Sequence, residues 1–349
     1  MSGSQAATSD SPSSPEDGGN FRRSLQIDMK GLVGDAVGNM SISPGSRDVV
    51  LAARKGLFII DLENPLNVPR FLPQGGTWDV ADVQWNPHMS RKEYIVSTSS
   101  EKLLIWNLYI SGKTSIEHIL RSHYRAITDI NWHLHDPDVV VSTGIDSWLW
   151  AWDLRTPQKP IIGLCAFNAA GTQVKWNRQD GNILASSHMN EVLVWDRRKG
   201  SLPVTTIKAH DAKIYGIDWA HDKRNELVTC SLDTTIKAWD ISQSPTADEL
   251  YEPSYTIHTS YPIWRARNLP FGKGVLSLPQ RGETALEMWT PQDLSEPVER
   301  FEGHADVVKE FVWRKGGQDD SEFQLITWSK DRTLRFWPLD PDVMQARLQ

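Results

Sequence analysis

The stretch of residues 210–240, HDAKIYGIDWAHDKRNELVTCSLDTTIKAWD, shows most clearly how the chain is built. It holds three short runs of alternating or β-branched residues: Ile214 to Trp219, Glu226 to Ser231 and Thr235 to Trp239. A turn at Asp233 separates the last two runs. Runs of this composition between polar turns are typical of strands and not of helices. The stretch therefore predicts strand, turn, strand, tight turn and strand in succession.

The same arrangement recurs at intervals of about 43 to 50 residues, and an aromatic residue ends the third run of each unit. The unit ends are Trp106-Asn107, Trp152-Asp153, Trp195-Asp196, Trp239-Asp240, Trp289-Thr290 and Trp337-Pro338, with Ile60-Asp61 as a degenerate first member. A second series lies earlier in the units: Trp85, Trp132, Trp176, Trp219 and Trp313. A period of this length, with several short strands per unit, indicates propeller blades.

Seven units can be counted, at about 29–70, 71–118, 119–160, 161–205, 206–255, 256–300 and 301–338. The sequence therefore predicts an all-β fold, a seven-bladed β-propeller over residues 21–340. The last recognisable strand, Thr333 to Trp337, would be the third of its blade. We expect residues 21–29 to supply the fourth strand, because sharing one blade between the chain ends removes exposed sheet edges.

The two ends of the chain differ in composition from the repeats. Residues 1–20 consist mainly of Ser, Gly, Pro, Asp, Glu and Ala, with no aromatic residue. Such a segment cannot offset the entropy lost on ordering, so we predict a disordered N-terminal tail. Residues 341–349 are expected to begin a linker or a helix.

Composition narrows the class of function. The net charge of −7 and the pI near 5.8 argue against nucleic-acid binding. Two cysteines, Cys165 and Cys230, are too few for a four-thiolate zinc site or a disulfide framework, and they suit a reducing compartment. No apolar run approaches the roughly 20 residues that cross a bilayer. We expect a soluble cytoplasmic protein without a metal and without direct membrane insertion.

The repeated histidines and aspartates could be taken for catalytic groups, but the known enzyme motifs are missing. The sequence has no Gly-Lys-Ser/Thr phosphate loop, no G-x-G-x-x-G after a strand, no H-E-x-x-H and no G-x-S-x-G. We therefore expect no cofactor and no enzymatic activity.

In the WD40 pattern, these residue types form a hydrogen-bonded set. A His before the first strand, a Ser or Thr on the second, the turn Asp and the third-strand Trp satisfy one another's polar groups. The sets expected here are His123, Asp146 and Trp152; His210, Asp233 and Trp239; and His304, Asp331 and Trp337. Each of these histidines precedes a Trp of the second series by nine residues: His123 precedes Trp132, His210 precedes Trp219 and His304 precedes Trp313. His258 has the corresponding place in the sixth unit. We interpret all of these residues as framework.

Some aromatic and arginine residues interrupt the repeat at or near the loops, where packing does not obviously require them. Exposed Trp, Tyr and Arg are the types that dominate binding hot spots. The candidates for protein contact are Trp78, Tyr124, Arg125, Trp148, Tyr261, Trp264 and Arg265. The alternative is that the tryptophans fill space between blades.

Several off-consensus segments carry a closer resemblance. They are Gly76-Thr77-Trp78-Asp79, Val83-Gln84-Trp85-Asn86-Pro87-His88, Gln173 to Asn177, Val192 to Lys199, Pro262 to Arg267, Gly303 to Val308 and Gln324 to Asp331. Over nearly the whole ordered chain these segments resemble the N-terminal propeller of the WD repeat-containing protein 59 family. That resemblance implies a subunit of the coatomer-like SEA/GATOR assembly at the vacuolar or lysosomal membrane, acting in amino-acid signalling to the TOR kinase complex.

Family members continue into an RWD domain and a cysteine-rich zinc-binding end. This chain has two cysteines and stops just after the last repeat, so we expect a fragment or a truncated gene product.

The first functional hypothesis is a protein-binding scaffold whose partners are SEA/GATOR subunits. The alternative is a substrate receptor for a cullin-type ubiquitin ligase, because Trp152-Asp153-Leu154-Arg155 and Trp195-Asp196-Arg197-Arg198 fit the Trp-Asp-x-Arg pattern of such receptors. A propeller enzyme would need converging acids or a metal set in the channel, which nothing in the sequence indicates.

Overall fold

The strands form seven four-stranded antiparallel sheets in the computed structural model, which describes residues 21, 23–31, 38–76, 80–167, 169–317 and 319–348. The predicted seven-bladed all-β propeller is thereby confirmed. The predicted tail, residues 1–20, and the candidate contact residue Trp78 lie outside the described residues.

Six blades take four consecutive strands each, from the axis outward, and we number them in chain order. Blade 1 holds β2 Met40–Ile42, β3 Asp48–Ala53, β4 Gly56–Asp61 and β5 Arg70–Pro73. Blade 2 holds β6 Val83–Trp85, β7 Tyr94–Ser99, β8 Lys102–Asn107 and β9 Ile116–Arg121. Blade 3 holds β10 Ile127–Trp132, β11 Val139–Gly144, β12 Trp148–Asp153 and β13 Ile162–Cys165.

The next three blades repeat this order. Blade 4 holds β14 Gly171–Trp176, β15 Ile183–His188, β16 Glu191–Asp196 and β17 Thr205–Lys208. Blade 5 holds β18 Ile214–Trp219, β19 Glu226–Ser231, β20 Thr235–Asp240 and β21 Tyr255–His258. Blade 6 holds β22 Ile263–Asn268, β23 Val275–Pro279, β24 Leu286–Trp289 and β25 Glu299–Phe301.

Blade 7 joins the two ends of the chain. It holds β26 Val308–Gly316, β27 Glu322–Ser329 and β28 Thr333–Pro338, and its outermost strand is β1, Leu25–Asp28. β1 runs antiparallel to β28, with Leu25 opposite Phe336 and Asp28 opposite Thr333. The N-terminal strand thus covers an edge that β28 would otherwise expose.

Two short helices complete the described structure. A 3₁₀ turn, Met89–Arg91, lies between β6 and β7, and helix α1, Pro341–Leu348, follows blade 7. Leu348 is buried, and its carbonyl oxygen accepts the backbone N–H of Lys273 at 3.2 Å. The helix is therefore attached to blade 6.

The core is divided into apolar clusters that each lie between neighbouring blades. Adjacent side chains of a strand point to opposite faces of its sheet, so each blade contributes to two clusters. In β20, Trp239 packs with Ile183 of blade 4, whereas its neighbour Ala238 packs with Ile263 of blade 6. The cluster that closes the ring joins Ile27 and Met40 to Trp328.

The inner strands of neighbouring blades are joined by side chains. An inner strand has one edge without a strand partner, and its N–H groups need acceptors. Among the described residues, side chains of the preceding blade supply them in five bonds. Ser41 Oγ accepts from Trp85 at 2.9 Å, Asp129 from Val174 at 2.9 Å, Asn131 from Trp176 at 2.9 Å, Gln173 from Ile217 at 3.0 Å and Asp218 from Asn268 at 2.8 Å. Each bond fixes one blade against the next.

The alternating strand directions define two ends of the ring. The loops that lead into each inner strand and the turns between second and third strands lie at one end, which we call the upper face. The remaining loops lie at the opposite end, the lower face.

Candidate functional site

The predicted His, Asp and Trp sets of blades 5 and 7 come together as hydrogen-bonded chains. In blade 5 the His210 ring lies between Asp233, at 2.9 Å from Nδ1, and Thr229, at 2.7 Å from Nε2. The Thr229 hydroxyl also accepts the indole N–H of Trp239 at 2.9 Å. Blade 7 repeats the arrangement with His304, Asp331, Thr327 and Trp337, at distances of 3.0, 2.7 and 2.9 Å.

In blade 3 the arrangement has the composition of a Ser-His-Asp triad. His123 Nδ1 lies 2.9 Å from Asp146 and Nε2 lies 2.8 Å from the hydroxyl of Ser142. A nucleophilic serine must reach a substrate, but Ser142 is 0% exposed and His123 only 6%. These groups therefore act as framework. Trp152 contributes as a buried apolar residue, packed with Trp132.

Blade 4 builds an equivalent chain from a residue that the spacing pattern did not indicate. Trp195 donates its indole N–H to Ser186 at 2.9 Å, and Ser186 lies 2.8 Å from His188 Nε2. His188 Nδ1 donates to the carbonyl oxygen of Ala169 at 2.9 Å. This histidine comes from the end of the second strand instead of the preceding loop, so the nine-residue spacing from His to Trp cannot find it.

Blade 6 corrects two expectations. His258 is exposed at the end of β21, and Tyr261 takes the corresponding buried position at 3% exposure. The Tyr261 hydroxyl lies 2.8 Å from Ser277 Oγ and donates to Glu287 at 2.6 Å, while Trp289 donates to Ser277 at 3.2 Å. A phenol reaches further than an imidazole, so the hydroxyl bonds a carboxylate on the third strand, Glu287 of β24, instead of a turn aspartate. Tyr261 therefore offers no surface to a partner.

Burial sets the protonation of the histidines. It lowers the pKa of His123 and of His304, although Asp146 and Asp331 each act in the opposite direction. It lowers the pKa of His188 to about 4. These rings are neutral at pH 7, as their paired donor and acceptor bonds require.

The remaining contact candidates divide into exposed and buried residues. Tyr124 and Arg125 are exposed on the loop leading into β10. Trp148 is half-buried and stacks on Trp150, with ring centroids 4.7 Å apart and planes inclined by 11°. Trp264 is half-buried against Tyr215, with ring centroids 5.2 Å apart.

The expectation that Arg265 contacts a partner protein is wrong, because its side chain is 7% exposed and forms bonds within the fold. Its guanidinium donates to the carbonyl oxygens of Tyr215, at 2.5 Å, and Trp264, at 2.9 Å, and it lies over the Trp264 ring at 4.3 Å. Arg265 thus joins blade 6 to blade 5 and cannot serve as a surface anchor.

Charged residues of the inner strands pair across blades. Asp129 accepts from Lys175 at 2.9 Å, and Arg267 donates to Glu310 at 2.6 Å. Burial and the nearby Asp129 carboxylate raise the pKa of Asp82 to about 6, although a hydrogen bond from Asn39 opposes the rise. Within the part of the chain that the structure describes, no three His, Cys, Asp or Glu side chains form a group suited to a metal ion.

Comparison with known proteins adds family relationships to this geometry. The model of the WD domain, G-beta repeat, matches residues 201–240, which include most of blade 5. An RWD, RING finger and WD repeat-containing protein of Schizosaccharomyces pombe is 43% identical, over 95% of this chain and 25% of its own length. Maintenance of telomere capping protein 5 of Saccharomyces cerevisiae is 41% identical, over 94% of this chain and 29% of its own length.

A third relative decides the family. The GATOR2 complex protein WDR59 of Homo sapiens is 36% identical over 309 residues, or 88% of this chain and 31% of the human protein. This chain belongs to the WDR59 family. It spans about a quarter to a third of the length of these relatives, so the comparison concerns the propeller region of the WDR59 proteins.

A solved structure supports the same fold for this WDR59-family propeller. A chain in a structure described as the crystal structure of the mitotic checkpoint complex matches with a TM-score of 0.73, covering 97% of this chain and 99% of that one. The two sequences are 18% identical, so the likeness concerns the fold alone.

Proposed function

We propose that this WDR59-family propeller is a non-enzymatic scaffold that joins the subunits of a GATOR2 assembly, the SEA/GATOR type of complex. The observation that carries the proposal is the 36% identity to WDR59 proteins named as GATOR2 complex proteins in human and fly, spread over 88% of the chain. A match over 309 residues is long enough to include most of the ring.

The arrangement of the polar residues supports a scaffold. The Trp, His and acid chains are buried between strands, where they hold sheets in place and reach no substrate. Side chains of one blade bond the backbone of the next, which keeps the loops of the two faces at fixed positions. A rigid frame with variable loops binds partners at low entropic cost.

The partners proposed are protein subunits of this coatomer-like assembly and not nucleic acid. Through the complex, the chain would be cytoplasmic and peripheral at the vacuolar or lysosomal membrane, and it would act in amino-acid signalling to the TOR kinase complex. None of the helices described is long and apolar enough to cross a membrane.

Quantitative co-purification tests the proposal. The chain, tagged at its C-terminus and expressed in its own host, is purified and the bound proteins are quantified by mass spectrometry. We expect the other GATOR2 subunits in amounts comparable with the bait. Recovery of a cullin adaptor in their place would contradict the proposal and support the substrate-receptor alternative.

In that alternative, Arg155 and Arg198 of the Trp-Asp-x-Arg segments would contact the adaptor. In the structure both arginines are paired with their own aspartates, Asp153 and Asp196, at 2.8 Å.

A further inference from the structure

Four large apolar side chains are exposed on the upper face of blades 3 and 4. Tyr124, Ile145, Phe167 and Met189 are 70%, 36%, 71% and 56% exposed. Tyr124 and Phe167 lie in the loops leading into β10 and β14, and Ile145 and Met189 lie in the turns β11–β12 and β15–β16. We call these four residues the apolar patch.

Hydrogen bonds show that the segments carrying the patch are neighbours. The Tyr124 hydroxyl donates to the carbonyl oxygen of Asp146 at 3.4 Å, next to Ile145. In the same turn, the carbonyl oxygen of Ser147 accepts the backbone N–H of Ala166, the neighbour of Phe167, at 2.9 Å. In the loop that carries Phe167, the carbonyl oxygen of Ala169 accepts from Nδ1 of His188, the neighbour of Met189. The four residues therefore follow one another along a strip of adjacent loops and turns across two blades.

The strip is confined to this part of the molecule. Among the described residues, the other exposed large apolar side chains lie on outer strands or in loops of the lower face. Scattered exposed apolar residues are normal, whereas a contiguous group marks an interaction site.

Basic residues border the patch in a chain whose net charge is −7. Arg121 and Arg125 lie beside Tyr124, and Lys208 and Lys213 lie beyond Met189; all four are exposed. Ile214, the neighbour of Lys213, donates its N–H to the carbonyl oxygen of Met189 at 2.7 Å. Glu191, opposite Lys208 in the β16–β17 pair, and the exposed Asp211 offset the charge of the two lysines. The positive border therefore lies beside Tyr124, at Arg121 and Arg125, where it is complementary to a negatively charged partner.

We propose that the apolar patch and its basic border bind an acidic segment of a partner protein, which places its own apolar side chains against Tyr124 and Phe167. The inference rests on the proposed scaffold function and names the surface and the chemistry of the partner. A protein segment fits better than nucleic acid, because single strands require a continuous basic groove with stacking rings. Here Ile145 lies between the two aromatic residues, and Met189 separates Phe167 from the basic residues on its side.

Peptide selection tests the proposal on the 349-residue chain. A random 16-residue peptide library displayed on phage is panned on the protein, and enriched peptides are measured by fluorescence anisotropy. The patch variant carries Tyr124→Ser and Phe167→Ser. The control variant carries Tyr109→Ser and Leu202→Ser on the lower face, where the side chains are equally exposed at 70% and 68%. Circular dichroism checks that both variants are folded.

We expect the enriched peptides to be acidic and to contain Leu, Ile or aromatic residues. Their binding should weaken at least about tenfold in the patch variant and in Arg121→Glu with Arg125→Glu, and remain unchanged in the control variant. Peptides that bind the patch and control variants equally would overturn the proposal. So would patch-dependent binding of phosphatidylserine vesicles or of a 20-nucleotide RNA without such peptides, which would indicate a membrane or nucleic-acid surface.

The scaffold function and the patch can fail separately. If GATOR2 subunits co-purify with the chain but the patch substitutions do not change binding of the selected peptides, only the patch proposal is wrong. If the patch selects acidic peptides but no GATOR2 subunits co-purify, the patch stands and the assembly proposed for it is wrong.

Discussion

At the residue scale, one hydroxyl in each of several blades satisfies two buried groups. Thr229 accepts the indole N–H of Trp239 and bonds Nε2 of His210, and Thr327 does the same for Trp337 and His304. A Ser or Thr hydroxyl can both donate and accept, which neither an amide nor a methyl group could do in the same space. The stability of the blade therefore depends on the second-strand Ser or Thr of the WD40 pattern.

Replacing Thr229 by valine tests this dependence. Thr229→Val keeps the shape but leaves the Trp239 N–H and the His210 ring nitrogen without a partner, which should cost about 1–3 kcal/mol of unfolding free energy. Urea denaturation measures the loss. Thr206→Val, the same change at an exposed position of blade 4, is the control and should have little effect. Equal stabilities for the two variants would contradict the role of the hydroxyl.

His188 predicts a dependence of stability on pH. Burial lowers its pKa to about 4 in the folded chain, below the ordinary value of 6.5 that applies when the chain is unfolded. Between pH 7 and pH 5 the unfolded chain therefore takes up a proton that the folded chain does not, and stability falls as pH falls. The expected loss from this residue is about 2 kcal/mol over that range.

The comparison with His188→Gln isolates the effect. Urea denaturation of both proteins at pH 7 and pH 5 gives two changes in unfolding free energy, and the other buried histidines contribute equally to each. The wild-type chain should lose about 2 kcal/mol more than the variant. Parallel losses would show that His188 titrates near its ordinary value.

The residue networks also show how far sequence reasoning reaches. The spacing between His and Trp locates the histidines of blades 3, 5 and 7, because there the ring comes from the loop before the first strand. It misses His188, which reaches the same hydroxyl from the second strand, and it assigns His258 a place that Tyr261 occupies. Spacing records where a residue lies in the repeat, whereas the bond requires only a donor and an acceptor within reach.

At the scale of elements, the period of the tryptophans was sufficient to predict seven sheets. Both faces of each blade are covered by neighbours, so the strands carry apolar residues on both sides, as in β3, with five buried residues in succession. Exposure could not be predicted in the same way. Arg265 is buried because its guanidinium reaches the backbone of blade 5, a contact between residues 50 positions apart.

The contribution of the N-terminal strand β1 to stability can be tested by deletion. Deleting residues 1–29 removes β1 together with the buried side chains of Ile27 and Met29, and it exposes the edge of β28. The loss of two buried apolar side chains should cost roughly 3–6 kcal/mol, and the new edge should promote association. Thermal denaturation and light scattering after size-exclusion chromatography measure both effects.

A shorter deletion separates the strand from the segment before it. Deleting residues 1–20 keeps β1 and should leave the stability and the oligomeric state close to those of the parent chain. If the 1–29 deletion is also as stable and as monomeric as the parent, β1 does not contribute to blade 7.

At the scale of the whole molecule, the residues that stabilise the ring are different from those that are available to partners. Apolar clusters and side-chain bonds join each blade to its neighbours, and the buried Trp, His and acidic side chains take part in these contacts. What remains for partners is the pattern of the loops, in which the apolar patch differs from the rest of the upper face. Residues in the turns, such as Ile145 and Met189, follow no repeat rule, so their exposure and grouping could not be predicted from the sequence.

Closure of the ring by β1 is the feature on which the rigid scaffold depends, and native-state hydrogen exchange tests it most directly. If the N-terminal strand is part of blade 7, the amides of residues 25–28 that bond to β28 should exchange in the same cooperative opening as those of β27 and β28, with similar protection. Fast exchange at residues 25–28, while β27 and β28 stay protected, would show that the ring closes without its N-terminal strand and would contradict the closure described above.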